Sequence, residues 1–271
     1  MSENHADVPV LVEEQEGNIR YITLNRPEKL NALSPAVYDA IPTALNSAET
    51  DPETHVVVVR GAGKAFSSGQ DLNLTAIQDD PFDERQRLRR QISVMLRFWD
   101  LPKPVIAQIH GYCLGAATQL ASLCDLVFVA TDAVIGWPPS IRVGGGSYLG
   151  PAWVYTVGAR RAKEMEFLPG SRIDGLTAAE WGWANRAFEP DVLALKVREL
   201  AAQIAEKPCS SLALEKEGIN RMVEASGFRE WLLAAAESDA IGHGSRASRS
   251  LQEEIREEHG YALGKPREPR I

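Results

Sequence analysis

Two glycine-containing segments, each following an apolar run, carry the residue types best suited to chemistry. The first, at 65–72, reads A-F-S-S-G-Q-D-L, and the second, at 110–120, reads H-G-Y-C-L-G-A-A-T-Q-L. Each places small residues where a strand would pass into a helix, and the first N–H groups of a helix have no intrahelical acceptor. Two such turns side by side would aim two N–H donors at one oxygen, as an oxyanion hole does. Composition alone favours a simpler interpretation, two tight turns that need glycine for their backbone.

The elements that must position these turns alternate along the chain. Apolar runs typical of strands cover 8–12, 19–24, 56–59, 104–109 and 126–129, and helical spacing covers 34–48, 83–99 and 116–123. Ser34 and Pro35 are suited to the N-cap and first position of a helix. Strands that alternate with helices predict an α/β fold with a largely parallel sheet. Beyond Ala159 the pattern is almost entirely helical.

Composition excludes several classes of function. The 271 residues are 44% hydrophobic and 24% charged, with a net charge of −8, which is typical of a globular protein and argues against general binding of nucleic acid or an anionic membrane. Three cysteines and five histidines show neither a disulfide framework nor a metal-ligand spacing, so we expect no metal. Neither a signal peptide nor an apolar run of about 18 residues is evident, so a cytoplasmic location is expected.

Six motifs occur in order along the chain. They are L-N-R-P and N-A-L at 24–33, V-V-V-R-G at 57–61, F-S-S-G-Q-D-L at 66–72, P-V-I-A with H-G at 104–111, C-D-L at 124–126, and V-G-A-R-R-A with L-P-G at 157–170. Together they resemble the motifs of the crotonase superfamily, the enoyl-CoA hydratase/isomerase family, over nearly the whole length.

This resemblance implies a crotonase-type spiral of ββα units, with a core over 1–200 and a C-terminal helical trimerisation region over 201–271. It also implies assembly as a homotrimer or hexamer and an acyl-CoA thioester as the ligand. Coenzyme A is then part of the substrate, and no separate cofactor is expected.

The resemblance also assigns roles to individual residues. The N–H groups of Gln70 and Ala116 would bind the thioester oxygen, beside Gly115. Trp137 is expected as a wall of the acyl pocket. The following residues are expected along the adenine, phosphate and pantetheine path: Lys29, Ser68, Asp71 and Leu72. Two of these have simpler alternatives, a helix cap for Asp71 and a solvated loop lysine for Lys29.

The chain departs from the hydratases of this family at both of their glutamates. By this resemblance the first position falls at Gln119 and the second near Pro139, so the chain resembles an atypical member that lacks both carboxylates. A positioned acid or base contributes about 10²–10⁴-fold to a rate, so little ordinary hydration is expected. Tyr148 is a candidate for contacting the acyl carbonyl, whereas Glu164 fits a solvated helix residue. His110 either titrates or fixes its turn.

We therefore expect an enzyme that stabilises an enolate for decarboxylation, hydrolysis or isomerisation of an acyl-CoA. The alternative is a catalytically silent acyl-CoA-binding protein, which would share every binding motif.

Overall fold

The computed structural model describes residues 9–71, 74, 77–137, 150–168, 170–250 and 254. It opens with an antiparallel hairpin of β1 (Leu11–Glu16) and β2 (Ile19–Leu24). The sequence predicts a longer turn, over 15–18, but β1 continues to Glu16. The loop is two residues long and begins at Gly17, whose φ of 56° suits the twist of a two-residue hairpin.

The remaining strands fall into two sheets within the described residues. They are β3 (Val56–Gly61), β4 (Ala65–Ser67), β5 (Val105–Ile109), β6 (Tyr112–Leu114), β7 (Leu126–Ala130), β8 (Val134–Gly136), β9 (Arg172–Ile173) and β10 (Arg186–Phe188). The larger sheet has the order β1-β2-β3-β5-β7-β10 and is parallel from β2 onward. The smaller sheet has the order β4-β6-β8-β9. The pairs β3/β4, β5/β6 and β7/β8 each place one strand in either sheet, which confirms the predicted spiral.

Eight α-helices lie in the described part of the chain. They are α1 (Pro35–Thr50), α2 (Pro81–Asp100), α3 (Ala116–Ser122), α4 (Gly150–Phe167), α5 (Gly175–Trp181), α6 (Leu193–Ala205), α7 (Cys209–Glu224) and α8 (Phe228–Gly244). Helix α1 begins as predicted, because the Ser34 side chain accepts a hydrogen bond from the backbone N–H of Val37. Among the described residues, no helix is long and apolar enough to cross a membrane.

The core lies around the larger sheet. All four valines of 56–59 are fully buried, as expected of a strand covered on both faces. Helix α6 packs against β3, β5 and β7, while α8 packs against α2 and α4. The rings of Trp99 in α2 and Phe228 in α8 lie 5.0 Å apart.

Polar contacts between side chains also hold α8 to α2. The carboxylate of Glu84 in α2 is completely buried and lies 2.7 Å from Nδ1 of His243 in α8. Burial by itself raises the pKa of Glu84, but hydrogen bonds from Arg87 and His243 lower it to about 2. Arg85 and Glu237 add a second pair across the same interface, 2.7 Å apart.

Candidate functional site

The turn that contains Gln70 is held by the loop at 29–33. The backbone N–H of Ser68 donates to the carbonyl of Leu30 over 2.9 Å. Leu33 forms hydrogen bonds with both neighbours of Gln70. The N–H of Leu33 donates to the carbonyl of Gly69 (2.8 Å), and the carbonyl of Leu33 accepts from the N–H of Asp71 (3.1 Å). The position of this turn is therefore set by a segment more than thirty residues earlier in the chain.

The anchoring loop itself has an uncommon backbone. Leu30 and Asn31 have φ values of 49° and 55°, a region that side-chain-bearing residues rarely adopt. Asn31 is 1% exposed, and its Nδ2 donates to the carbonyls of Ala62 (2.8 Å) and Ala65 (2.7 Å). Its Oδ1 accepts from the N–H of Arg26 (2.9 Å). These three hydrogen bonds satisfy the buried amide and stabilise the left-handed conformation.

Asp71 forms an ion pair that the sequence did not reveal. One terminal nitrogen of Arg26 donates to Oδ2 of Asp71 over 2.8 Å and to the carbonyl of Ala32 over 2.7 Å. The Asp71 side chain is 4% exposed, so this is a charge-assisted contact largely shielded from water. The two residues stand 45 positions apart, and no local spacing links them.

The second turn is built around Gly115, the N-cap of α3. Gly115 has a φ of 53°, and its N–H donates to the carbonyl of Gly136 over 2.8 Å. Its own carbonyl accepts from the N–H (2.9 Å) and the hydroxyl (2.8 Å) of Thr118. Ala116 is the first residue of α3, where a backbone N–H has no intrahelical acceptor.

The two turns meet at Gly69. This residue has a φ of 90°, and a Cβ added to it would lie 2.3 Å from the carbonyl oxygen of Leu114 and 3.2 Å from the backbone nitrogen of Ala116. A side chain at this position would force the two backbones apart. The structure thus brings together the segments of Ser68, Gln70 and Asp71 with those of Gly115 and Ala116.

The Gln70 side chain is also fixed. Its Oε1 accepts a hydrogen bond of 3.1 Å from the hydroxyl of Tyr38 in α1. Tyr38 is 5% exposed and lies on the buried face of the helix, a position from which the sequence alone suggests only packing. Tyr38 is therefore a residue of the site that the sequence analysis missed.

The other expected residues lie at different distances from the turns. Lys29 is exposed, and its carbonyl accepts from the Ser68 hydroxyl over 3.4 Å. Trp137 is 4% exposed and directly follows Gly136, which pairs with Leu114 across the smaller sheet. Gln119 is completely buried in α3. Leu72, Pro139 and Tyr148 lie outside the described residues.

His110 precedes the second turn. Its Nε2 lies 2.9 Å from the carbonyl oxygen of Gly63, so the ring joins the start of this turn to the loop after β3. This contact is the one expected of a residue that fixes the turn.

Helix α4 contributes a partly buried carboxyl group, that of Glu166. The helix is interrupted at Gly158, with φ and ψ of 79° and 164°, and its second half returns toward its start. Glu166 consequently lies beside Gly150, at 3.4 Å from a Cβ added there, although a straight helix would separate residues 16 positions apart by about 24 Å. Glu164, considered from the sequence, is exposed.

The environment of Glu166 is unusual. Its Oε1 is buried and has no hydrogen-bond partner in the described part of the structure. Burial raises the pKa of Glu166 to about 8, with a further contribution from the like charge of Asp239. A carboxyl group in this state is protonated at neutral pH.

Metal and thiol chemistry find no support in the described ranges. No cluster of three or more histidine, cysteine or acidic side chains there is placed to hold a metal ion. Cys113 and Cys124 are buried free thiols, and burial raises the pKa of both. Neither is suited to act as a nucleophile.

Comparisons with known proteins agree with one another. Residues 14–247 match the family model described as enoyl-CoA hydratase/isomerase. A crystal structure from Novosphingobium aromaticivorans with a provisional enoyl-CoA hydratase/isomerase assignment is 37% identical, with a TM-score of 0.88 and coverage of 94% of this chain and 93% of that one. An enoyl-CoA hydratase/isomerase from Xanthobacter autotrophicus Py2 is 33% identical, with a TM-score of 0.83 and coverage of 93% and 94%. The hydroxycinnamoyl-CoA hydratase-lyase of Pseudomonas fluorescens is 32% identical over 218 residues, 78% of each chain.

Proposed function

The chain belongs to the enoyl-CoA hydratase/isomerase family, and from this premise we propose that it processes an acyl-CoA thioester by stabilising an enolate, without performing standard hydration. The observation that carries the proposal is the contact between the two turns at Gly69, where a Cβ would lie 3.2 Å from the Ala116 nitrogen. This close packing supports the proposal that the N–H groups of Gln70 and Ala116 serve one ligand oxygen.

In the proposed mechanism the thioester oxygen accepts hydrogen bonds from the N–H groups of Gln70 and Ala116. In decarboxylation or isomerisation a bond at the adjacent carbon breaks and its electrons form an enolate, whereas in hydrolysis water adds to the thioester carbon and forms a tetrahedral oxyanion before CoA leaves. In both cases the carbonyl oxygen gains negative charge. Donors already in place stabilise this charge without reorganisation, and removing one such donor typically costs about 10²–10³ in rate. The ground-state carbonyl carries less charge, so the effect favours the enolate.

The residue at the first glutamate position argues against hydration. Gln119 is completely buried in α3, and its amide can orient a ligand but cannot exchange a proton near neutral pH. Pro139, at the second position, has no side-chain donor or acceptor. Decarboxylation, hydrolysis and isomerisation each need fewer titrating groups than addition of water across a double bond.

A catalytically silent acyl-CoA-binding protein is the second candidate. Replacement of an acid by Gln119 favours it, because binding through two N–H groups requires no titrating side chain. A silent binder would use the same two turns as the enzyme, so both would bind a thioester carbonyl through the same N–H groups.

The coenzyme A portion would follow the exposed side of the first turn. Lys29 and Ser68 are joined there through the Lys29 carbonyl, and the Lys29 side chain is available for a phosphate. Trp137 and Tyr148 would line the acyl side. Assembly into a homotrimer or hexamer is part of the proposal.

Exposed apolar side chains on α7 support this assembly. Leu214, Ile219 and Met222 are 69%, 64% and 79% exposed, and a second copy of the chain would cover them.

Mass spectrometry of an acyl-CoA panel tests the proposal. The purified protein is incubated with short and long enoyl-CoAs, a β-keto ester and a malonyl-type ester, and Gly69→Ala serves as the control with a disrupted site. Release of carbon dioxide or free CoA, lost in the control, supports the proposal, while gain of water contradicts it.

Chromatography of the same samples separates isomers of equal mass. An isomer formed by the wild type and not by the control also supports the proposal. Tight binding without any product supports the silent binder instead.

A further inference from the structure

We infer that Arg26 is a positioning residue for the oxyanion hole, because its guanidinium fixes the turn that carries the Gln70 N–H. The inference rests on the proposed function. Arg26 is not expected to touch the substrate; it acts through Asp71 and the loop at 29–33.

The contacts form a closed ring around Gln70. Leu33 brackets Gln70 by pairing with Gly69 on one side and Asp71 on the other. Arg26 joins the residue before Leu33, through the Ala32 carbonyl, to the residue after Gln70, through the Asp71 carboxylate. Movement of the Gln70 N–H relative to Leu33 therefore requires one of these contacts to break.

Arg26 also stabilises the loop at 29–33, which holds the Gln70 turn through backbone hydrogen bonds. Its backbone N–H donates to the side chain of Asn31. The backbone of Asn31 is itself left-handed, so this hydrogen bond helps to stabilise an uncommon conformation. The main chain and the side chain of Arg26 thus act on the same loop.

Loss of Arg26 would affect the turn in a defined way. The Asp71 side chain, 4% exposed, would become a buried carboxylate deprived of its ion pair with Arg26, which is unfavourable. The carboxylate would lose one of the contacts that hold it, and the adjacent Gln70 peptide would be less restrained. Displacement of a catalytic group by about 1 Å can lower a rate about 10²-fold.

Lysine should replace Arg26 only in part. One guanidinium nitrogen of Arg26 donates to both the Ala32 carbonyl and the Asp71 carboxylate. The planar guanidinium fixes the directions of these two hydrogen bonds. The ammonium of lysine keeps the charge, but it is a point charge on a flexible stem. Arg26→Lys is therefore expected to retain the fold and part of the positioning effect.

Arg20 provides a matched control. Its side chain is 14% exposed, the same as that of Arg26. It bonds Asp51 (2.7 Å), Ser47 (2.6 Å) and Glu13 (3.1 Å), and none of these residues belongs to either turn. Arg20→Ala removes an equally buried arginine without touching the ring around Gln70.

Isotope-edited infrared spectroscopy of bound [1-¹³C]butanoyl-CoA measures the oxyanion hole without turnover. Hydrogen bonds to the carbonyl lower its stretching frequency. We expect a downward shift with the wild type and with Arg20→Ala, loss of most of it with Arg26→Ala, and an intermediate shift with Arg26→Lys. With a turned-over substrate, kcat of Arg26→Ala should fall about 10–100-fold with a smaller change in KM.

The outcomes distinguish failure of the proposed role of Arg26 from failure of the proposed function. A full shift in both the wild type and Arg26→Ala overturns the role of Arg26 and leaves the proposed function standing. No shift in the wild type overturns the proposed function and this inference with it. If Arg26→Ala does not fold, Arg26→Lys and Asp71→Asn replace it, and a full shift in both overturns the inference.

Discussion

Replacement of Glu166 by glutamine removes a partly buried ionisable group and nearly preserves the shape of the side chain. In the folded protein the pKa of Glu166 is raised from 4.5 to about 8 by burial and by Asp239. Below about pH 4.5 the carboxyl is protonated in both the folded and the unfolded chain. Between this pH and about 8 the unfolded chain loses the proton and the folded chain keeps it, so the free energy of unfolding falls as pH rises. Glutamine does not titrate and removes this dependence.

The size of the effect follows from the shift. At about 1.4 kcal/mol per pKa unit, the interval from 4.5 to about 8 corresponds to roughly 5 kcal/mol. Glu166 keeps part of its surface in water, where a high effective dielectric constant reduces the penalty. We therefore expect Glu166→Gln to be more stable than the wild type by about 2 kcal/mol near pH 9, with no difference near pH 4.

Urea unfolding followed by tryptophan fluorescence at about pH 5, 7 and 9 measures this difference, provided that the slope with urea is unchanged. Glu164→Gln is the matched control, because Glu164 lies two residues earlier on the same helix and is exposed. It should follow the wild type at every pH. Parallel curves for Glu166→Gln and the wild type would refute a raised pKa at Glu166.

Three further changes test the site and its support. Gln119→Glu alone should leave hydration of crotonyl-CoA within about tenfold of background, measured by mass spectrometry; efficient hydration would contradict the need for a second carboxylate. Gly69→Ala should lower the free energy of unfolding by about 2 kcal/mol or more and abolish butanoyl-CoA binding in calorimetry, because its Cβ would meet the Leu114 carbonyl at 2.3 Å; wild-type affinity would contradict this packing. Lys216→Ala should lower the free energy of unfolding by about 2 kcal/mol in urea, since it removes the 2.7 Å ion pair to the partly buried Asp125. Lys216→Met with Asp125→Asn should recover part of this loss, and an equal loss would contradict the explanation.

The longer elements could be predicted because their signals are local. The uninterrupted valines of 56–59 and the Ser34-Pro35 pair predict β3 and the start of α1, and both are confirmed. The strands of the smaller sheet were not predicted as strands. They have two or three residues each, too few for an alternating pattern, and their pairing depends on the larger sheet.

At the site, the turn segments were visible in the sequence but their supports were not. The glycines mark where the chain must turn, whereas the partners of the turns come from elsewhere. Arg26 and Asp71 are 45 positions apart, and Tyr38 and Gln70 are 32 apart. Glu166 meets Gly150 only because of the interruption at Gly158. Such contacts are set by the tertiary fold and leave no periodic signal.

The left-handed residues Leu30 and Asn31 have a consequence for thermal behaviour. A segment in a costly conformation, of order 1–3 kcal/mol per residue, opens by local unfolding before the buried sheet does. Because this segment carries the Gln70 turn, heating should abolish ligand affinity while the secondary structure is still intact. A bound thioester would slow amide hydrogen exchange at Leu33 and Asp71, since the thioester binds only when the loop at 29–33 is folded.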